Sequence, residues 1–305
     1  MAVSTVKAVI NNQTYDLQWD AESSSWKGTI TAPTQTSYTQ EGHYYPVQIK
    51  ATDDAGNETI KGSDDPVLGE SLRLRVLEKN PPQIVVTYPT ADAHLGTASP
   101  QIEWTVTDTE SGINVETIKL KIDSSADITG DSIQKEAVEN GWKCTYTPGE
   151  SLEDGIHVIS FNVQDNDGNS ADTKTISFSV DTVPPVLNIT SPEDNLITNE
   201  TTIVVSGTTN DVTSSPVTVT IKVNSGSEEQ VSVGEGGAFS KEVTLTEGAN
   251  TIVITATDSA GKQTVVTRYV TLSTSAPVIV SVSIVPNPVD AGQTFIITAV
   301  VTDDD

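Results

Sequence analysis

The stretch ATDDAGN at residues 51–57 follows the alternating segment VQIK and combines two acids, a glycine and an asparagine. Related stretches recur as QDNDGN at 164–169 and ATDSAGK at 256–262. In each copy the aspartate can hydrogen-bond the turn backbone, while the glycine can take a positive φ. The recurrence therefore predicts three copies of one strand–turn–strand unit.

Each copy lies in a longer repeat with the same order of features. An aromatic residue opens a strand at Trp26, Trp142 or Phe239, and an acid–glycine turn leads into the strand that ends at the repeated turn. Alternation with a period of two indicates strands with one buried face. Turn signals every eight to twelve residues are typical of β-sandwiches of roughly 100 residues each. We therefore predict an all-β fold of tandem immunoglobulin-like β-sandwiches that form an elongated rod.

Proline-containing segments mark the predicted domain boundaries, because proline interrupts a strand ladder and stiffens a linker. EKNPPQ, DTVPPV and STSAPV place junctions near Asn80, Val183 and Ser275. The predicted domains are 1–80, 81–183, 184–275 and a partial fourth immunoglobulin-like unit at 276–305. Two strands cannot bury a core alone, so the last unit is expected to be either incomplete or a strand donor to another chain.

The formal charge of −26, from 42 acids and 16 bases, argues against partners that are themselves polyanions. A chain this acidic repels nucleic acid and anionic membranes. No apolar run approaches the length of a membrane span, so we expect no membrane insertion. Cys144 is the single cysteine, and its strand context WKCTYTP predicts a small buried residue.

The second turn offers the best candidate for a metal site. Asp165, Asp167 and Asn169 alternate like the start of a calcium loop, although residue 176 is isoleucine rather than the glutamate of an EF-hand. The third turn has Ser259 and Lys262 at positions where such ligands would be expected, which favours a structural role for the turns. The linkers NPPQ and STSAP contain no acid and DTVPP contains one, Asp181, which argues against calcium sites at the junctions. The pattern requires no cofactor, and calcium is the candidate cation.

Two further sets of residues are candidates for contact with carbohydrate. Trp19 and the pair Tyr44–Tyr45 could contact a glycan, since adjacent tyrosines of a strand point to opposite faces and one should be exposed. The acids Asp108 and Glu110 could act as a glycosidase pair, but the aromatic and polar groups of a sugar subsite are missing around them. We therefore predict no enzymatic activity.

The third repeat resembles the domain-B type of immunoglobulin-like module first described in glucodextranases. The residues that carry this resemblance are PPVLNITSPEDNLIT, TIVVSGTTND and GAFSKEVTLTEGANTIVITATDSAGK. The whole chain is also similar to immunoglobulin-like proteins encoded among the tail genes of phages and prophages, through VKAVINNQTYDLQWD, GHYYPVQIKATDDAGN, LGESLRLRVLEKNPP and WTVTDTESGI. These modules occur in enzymes, adhesins and virions alike, so the resemblance implies fold more specifically than function.

The resemblance implies a non-enzymatic accessory of a phage tail or baseplate that displays or spaces a contact surface for the host. The start MAVSTVKAVI is typical of a strand rather than a signal peptide, which fits a virion protein released by lysis. Expected partners are other virion or surface proteins and a cell-surface glycan. The alternatives are a fragment of a bacterial cell-surface adhesin and the ancillary carbohydrate-binding region of a secreted polysaccharide-acting enzyme. Both alternatives predict an extracellular or cell-surface location.

Overall fold

A computed structural model describes residues 2–303. Within these residues the chain forms 25 β-strands and five short 3-10 helices. The chain divides into two compact units. The first runs to Ala93 and adds Ser99–Ser151 and Ile156–Phe178, and the second contains His94–Ala98, Leu152–Gly155 and the described residues from Ser179 onward.

The first sheet is built around the N-terminal hairpin. Its strands are β1 (Val3–Ile10), β2 (Gln13–Asp20), β3 (Ser25–Lys27), β4 (Tyr45–Asp53), β5 (Glu58–Lys61) and β6 (Arg73–Leu74). The order is β3-β2-β1-β4-β5, with β6 paired to β4. Asn11 and Asn12 both have positive φ, at 48° and 61°, as a tight β-hairpin turn requires. Val6, Ala8 and Ile10 alternate along β1 and are buried.

The second repeat forms two sheets. Its strands are β7 (Gln83–Tyr88), β8 (Ala93–Leu95), β9 (Ile102–Thr107), β10 (Ile113–Ile122), β11 (Ile128–Thr129), β12 (Gln134–Val138), β13 (Gly141–Tyr146), β14 (Gly155–Asp165) and β15 (Lys174–Val180). The sheet orders are β12-β13-β9-β7 and β11-β10-β14-β15-β8. Trp104 on β9 packs on Phe161 of β14 with ring centroids 5.1 Å apart, and both side chains are buried. Cys144 is fully buried, as its strand context predicts.

The third repeat also forms two sheets. Its strands are β16 (Val186–Ser191), β17 (Leu196–Thr198), β18 (Thr202–Asn210), β19 (Thr218–Val223), β20 (Glu229–Val231), β21 (Ala238–Thr244), β22 (Gly248–Thr257) and β23 (Gln263–Leu272). The orders are β16-β18-β21 and β17-β23-β22-β19-β20, with β17 and β23 parallel. Residues that alternate along the strands fill the core, including Val205, Val219, Phe239, Ile252 and Ile254.

The last strands, β24 (Val278–Val285) and β25 (Ile296–Thr302), pair only with each other in a two-stranded sheet. All of their side chains are exposed, among them Ile279, Val282 and Val301. Apolar residues on both faces thus remain in contact with solvent in this part of the chain.

The five 3-10 helices span Ser37–Thr39, Glu41–His43, Gly69–Leu72, Gly130–Ser132 and Glu235–Gly237. None of the helices in residues 2–303 has the length and apolar character needed to cross a membrane.

Candidate cation sites

The three repeated turns share one geometry. Asp53, Asp165 and Asp258 lie at or just after the ends of β4, β14 and β22. In each turn the aspartate Oδ1 accepts a hydrogen bond from the backbone N–H four residues later, at 2.9, 2.8 and 2.9 Å. The turn glycines have φ of 84°, 92° and 82°, a region that glycine occupies without strain. The aspartate and glycine therefore have the turn role that the sequence indicated.

The second carboxylate oxygen distinguishes the third turn from the other two. The side-chain amide of Asn57 donates to Asp53 Oδ2 at 2.9 Å, and that of Asn169 donates to Asp165 Oδ2 at 2.8 Å. Lys262 occupies the equivalent position in the third turn. Asp258 is only 5% exposed, and its Oδ2 is buried without a hydrogen-bond partner among the described residues. A buried carboxylate oxygen without a donor is costly in free energy.

Asp258 lies in a cluster of three acids that we call the second trio. It comprises Asp181, Asp211 and Asp258, with one carboxylate oxygen of each within 4.8 Å of the others. Asp181 directly follows β15, and Asp211 directly follows β18. Asp181 and Asp258 are buried, and Asp211 is half-buried.

Glu78, Asp108 and Asp165 form a corresponding first trio, again with one oxygen of each within 4.8 Å of the others. All three residues are buried. Burial, together with the neighbouring Asp165 carboxyl group, raises the pKa of Glu78 to about 7.

A buried serine donates a hydrogen bond to the first acid of each trio. Ser111 Oγ donates to Glu78 Oε1 at 3.1 Å, and Ser214 Oγ donates to the Asp181 carboxylate; both pairs are 33 residues apart. Each serine is the fourth residue of a similar loop, DTES at 108–111 and DVTS at 211–214. In both loops the leading aspartate accepts a backbone N–H two residues later, from Glu110 at 3.0 Å and from Thr213 at 2.8 Å. The two trios are therefore repeat-equivalent.

The residues predicted to form a calcium loop are only partly brought together. Asp165 joins the first trio with Glu78 and Asp108, which come from other segments. Asp167 instead accepts hydrogen bonds from Thr36 Oγ1 and from the backbone N–H of Glu78. The amide of Asn169 donates to the Glu78 carbonyl at 3.2 Å and to Asp165. Asp167 and Asn169 thus fasten the first linker to the turn.

Sequence reasoning missed the linker acids Glu78 and Asp181 and the loop acids Asp108 and Asp211 as neighbours of the turns. The expectation that linker acids are too few for a cation site counted Asp181 in DTVPP but did not pair it with the acids of the following loops and turns. Glu78 and Asp181 lie three residues before the first proline of each linker, in LEKNPP and VDTVPP. Together with the repeated DxxS loops, this alignment was the signal in the sequence that could have found both trios.

The candidate glycan residues have different environments. Trp19 on β2 is 54% exposed and packs edge-to-face on Trp26, with ring centroids 5.8 Å apart. Tyr44 is half-buried beneath the guanidinium of Arg73, which lies 4.9 Å from the ring centre. Tyr45 is buried, and its hydroxyl donates to the Gln35 carbonyl at 3.2 Å. Tyr45 is therefore a core residue, and Trp19 is the most accessible of the three.

Two regions of the chain match models of known domain families. Residues 90–182 match a bacterial Ig-like domain, and residues 185–274 match domain B of glucodextranase. The chain carries tandem immunoglobulin-like domains. A search of curated proteins finds no match. The match at 185–274 agrees with the resemblance noted for the third repeat.

Several solved structures with limited similarity to this chain contain tandem modules. The titin I-band fragment I67–I69 is 13% identical with a TM-score of 0.41, covering 89% of this chain and 88% of that chain. The fibronectin(III)-like modules of Clostridium thermocellum CbhA are 15% identical with a TM-score of 0.40, covering 63% of this chain and 94% of that chain. Sidekick-1 immunoglobulin domains 1–5 are 11% identical with a TM-score of 0.36, covering 99% of this chain and 60% of that chain. At these TM-scores the neighbours carry no argument about this chain.

Proposed function

We propose that this chain is a non-enzymatic structural protein that displays or spaces a contact surface for a host cell, as a tail or baseplate accessory of a phage virion. The observation that carries the proposal is the serial repetition of one scaffold. The same aspartate–glycine turn closes strands β4, β14 and β22, and similar linkers follow. Repetition of a scaffold suits a protein that positions a contact surface, because weak contacts gain strength when many copies act together.

The environment of the one acid pair with a glycosidase-like appearance supports a non-enzymatic role. Asp108 is buried, and its Oδ1 accepts the backbone N–H groups of Glu110 and Gly112 at 3.0 and 2.7 Å. A glycosidase needs both carboxyl groups to face the scissile bond. In this loop the carboxylate of Asp108 instead holds the backbone of its own turn.

The proposed partners are other virion or surface proteins and a cell-surface glycan. The charge of −26 favours neutral or basic protein surfaces over nucleic acid and anionic lipid. Loops at the ends of sandwiches are the usual location of binding residues in such modules. Trp19, at 54% exposure, is the residue we would expect to contact a sugar ring.

A second candidate function is an ancillary carbohydrate-binding region of a secreted polysaccharide-acting enzyme. The match of residues 185–274 to domain B of glucodextranase favours this candidate. Co-sedimentation with insoluble glucan, starch and peptidoglycan tests it. Retention that falls at least tenfold in Trp19→Ala, with Trp26 left in place, would support a glycan contact at this tryptophan.

Labelling with an antibody raised against this chain tests the proposed location. Immunogold particles should decorate the tails of intact phage released from the producing strain and leave the walls of uninfected cells unlabelled. Labelling of cell walls without labelling of virions would overturn the virion proposal and support a cell-surface adhesin. Label confined to the culture fluid together with glucan retention would support the ancillary enzyme region.

A further inference from the structure

We propose that Asp181, Asp211 and Asp258 hold a calcium ion in the second compact unit of the chain. The three carboxylates come from a linker, a loop and a turn that are far apart in sequence. The proposal rests on the convergence of these carboxylates and on the buried oxygen of Asp258 that is unpartnered in the described chain. A calcium site here goes beyond the proposed function, since neither display nor spacing of a surface requires it.

Asp258 belongs to this cluster and has one carboxylate oxygen that is unpartnered within residues 2–303. The residue is 5% exposed, and its Oδ2 has no hydrogen-bond partner in the part of the chain that the structure describes. In the two preceding turns an asparagine amide donates to the corresponding oxygen. In the third turn, Lys262 stands in place of the asparagine, so the amide donor is absent although Asp258 is still buried. A cation that binds Asp258 Oδ2 would replace the missing donor.

The positions of the carboxylate oxygens suit one calcium ion. One oxygen of each acid lies within 4.8 Å of the others, and calcium binds oxygen at about 2.3–2.6 Å. A single ion can therefore contact all three carboxylates. Calcium takes six to eight oxygen ligands, and water molecules and carbonyl groups would supply the remainder.

Local hydrogen bonds hold each carboxylate in a fixed orientation before any ion binds. Asp211 Oδ1 accepts the backbone N–H groups of Thr213 and Ser214, both at 2.8 Å. Asp181 Oδ1 accepts from Val183 at 3.1 Å, and Asp258 Oδ1 accepts from Lys262 at 2.9 Å. Ligands that are already oriented lose little conformational entropy on binding. The second trio is in this respect a preorganised site.

The charge balance of the second trio also favours a divalent cation. No Lys, Arg or His among residues 2–303 forms an ion pair with any of its three acids. Carboxylate oxygens are hard ligands that bind calcium and magnesium well. Magnesium demands near-ideal octahedral geometry, whereas calcium accepts a flexible arrangement of oxygens, which suits three carboxylates that their own loops already hold. We therefore assign calcium rather than magnesium.

The first trio is satisfied differently and is not part of the proposal. Both oxygens of Asp165 accept hydrogen bonds from Asn169, and the two oxygens of Glu78 accept from Asn80 and Ser111. Hydrogen-bond donors of the protein thus satisfy both oxygens of Asp165, whereas Oδ2 of the equivalent Asp258 has no such donor among the described residues. This difference provides a matched control within the same chain.

Calcium titration of the whole chain tests the proposal. The protein is first stripped with a chelator and then titrated with calcium chloride in a calorimeter, with magnesium chloride as the comparison. We expect saturable calcium binding, at least tenfold weaker magnesium binding, and an unfolding transition that moves up by several degrees at millimolar calcium. Absence of both binding heat and a thermal shift at millimolar calcium would overturn the proposal.

Variants then locate the ion. Asp258→Asn and the half-buried Asp211→Asn should each weaken calcium binding at least tenfold, and the second variant guards against misfolding of the first. The controls are Asp165→Asn and Asp53→Asn, the equivalent turn substitutions in the preceding repeats. Calcium should still raise the unfolding temperature of both controls, but not that of Asp258→Asn. Circular dichroism confirms that each variant is folded. Loss of all binding in Asp165→Asn with full binding in Asp258→Asn would contradict the assignment.

Discussion

Ser214 Oγ donates a hydrogen bond to the carboxylate of Asp181, 33 residues earlier in the chain. Both side chains are buried, with exposures of 0% and 1%. Ser111 repeats this relationship with Glu78 in the preceding repeat. The bond ties the segment after β15 to the loop after β18, so it links the entry of the third sandwich to one of its loops.

Replacing Ser214 by alanine should lower the free energy of unfolding by about 1–3 kcal/mol, because Oδ2 of the buried Asp181 carboxylate loses its hydroxyl donor. Urea unfolding followed by circular dichroism measures this change. The exposed Ser225 provides the control, since Ser225→Ala should change stability by less than about 0.5 kcal/mol. Equal effects of the two substitutions would show that the bond to Asp181 contributes nothing.

Gly141 should not tolerate a side chain, although its φ is not positive. A Cβ at this position would lie 1.9 Å from the Val106 carbonyl oxygen on the paired strand β9. Gly141→Ala should therefore separate β13 from β9 and destabilise the second sandwich by about 2 kcal/mol or more. Gly149→Ala is the matched control, because nothing lies within 4 Å of its Cβ. Thermal unfolding of both variants should show a loss for Gly141→Ala alone.

Cys144 should be chemically inert in the folded protein. Burial raises the pKa of its thiol to about 12, and the thiolate is the reactive form. At pH 8 we expect a thiol reagent to modify the urea-denatured chain completely. Over the same period the native protein should remain unmodified. Mass spectrometry measures the modified fraction. Equal rates for the native and denatured chains would contradict the burial of this side chain.

The pair of Asp123 and His157 should make the second sandwich sensitive to acid. Burial alone would raise the pKa of Asp123, but hydrogen bonds from the His157 ring at 2.7 Å and the Val158 N–H at 2.8 Å outweigh it and lower the pKa. A lowered pKa contributes stability above the ordinary aspartate value of about 4, and that stability is lost as pH falls through the folded-state pKa.

Asp123→Asn should therefore cost about 1 kcal/mol at pH 7, a value reduced because the Asp123 side chain is 43% exposed. The difference from the parent chain should shrink as the pH is lowered from about 5 toward 3. Urea unfolding across this range measures it. Asp127→Asn, which breaks only the exposed ion pair with Lys119, should have no measurable effect. A difference that stays constant with pH would contradict the proposed role of the carboxylate.

The sequence predicted the fold class correctly, because strand alternation and turn chemistry are local signals. Asp53, Asp165 and Asp258 could be assigned to turns from the aspartate–glycine spacing alone. The expectation that one of Tyr44 and Tyr45 is exposed was wrong, because β4 begins at Tyr45 and Arg73 covers the ring of Tyr44. The exposure of each face depends on residues that are distant in sequence.

Strand alternation alone could not reveal the acid trios, because their members are far apart in sequence. Glu78 and Asp181 precede the prolines of their linkers, and only the folded chain brings them beside loops and turns of the next repeat. Comparison of the turns suggested that Lys262 marks the loss of a cation site. The structure favours the opposite interpretation, because Lys262 removes the amide donor that satisfies the aspartate in the other two turns.

Crystallographic anomalous scattering from calcium-grown crystals tests the central claim most directly. The account predicts a calcium peak bound by Asp181, Asp211 and Asp258, with the Asp258 Oδ2 atom about 2.3–2.6 Å from the ion. Density without a metal in this cluster, with Asp258 Oδ2 hydrogen-bonded to water, to a protonated neighbour or to the Lys262 ammonium group, would contradict it.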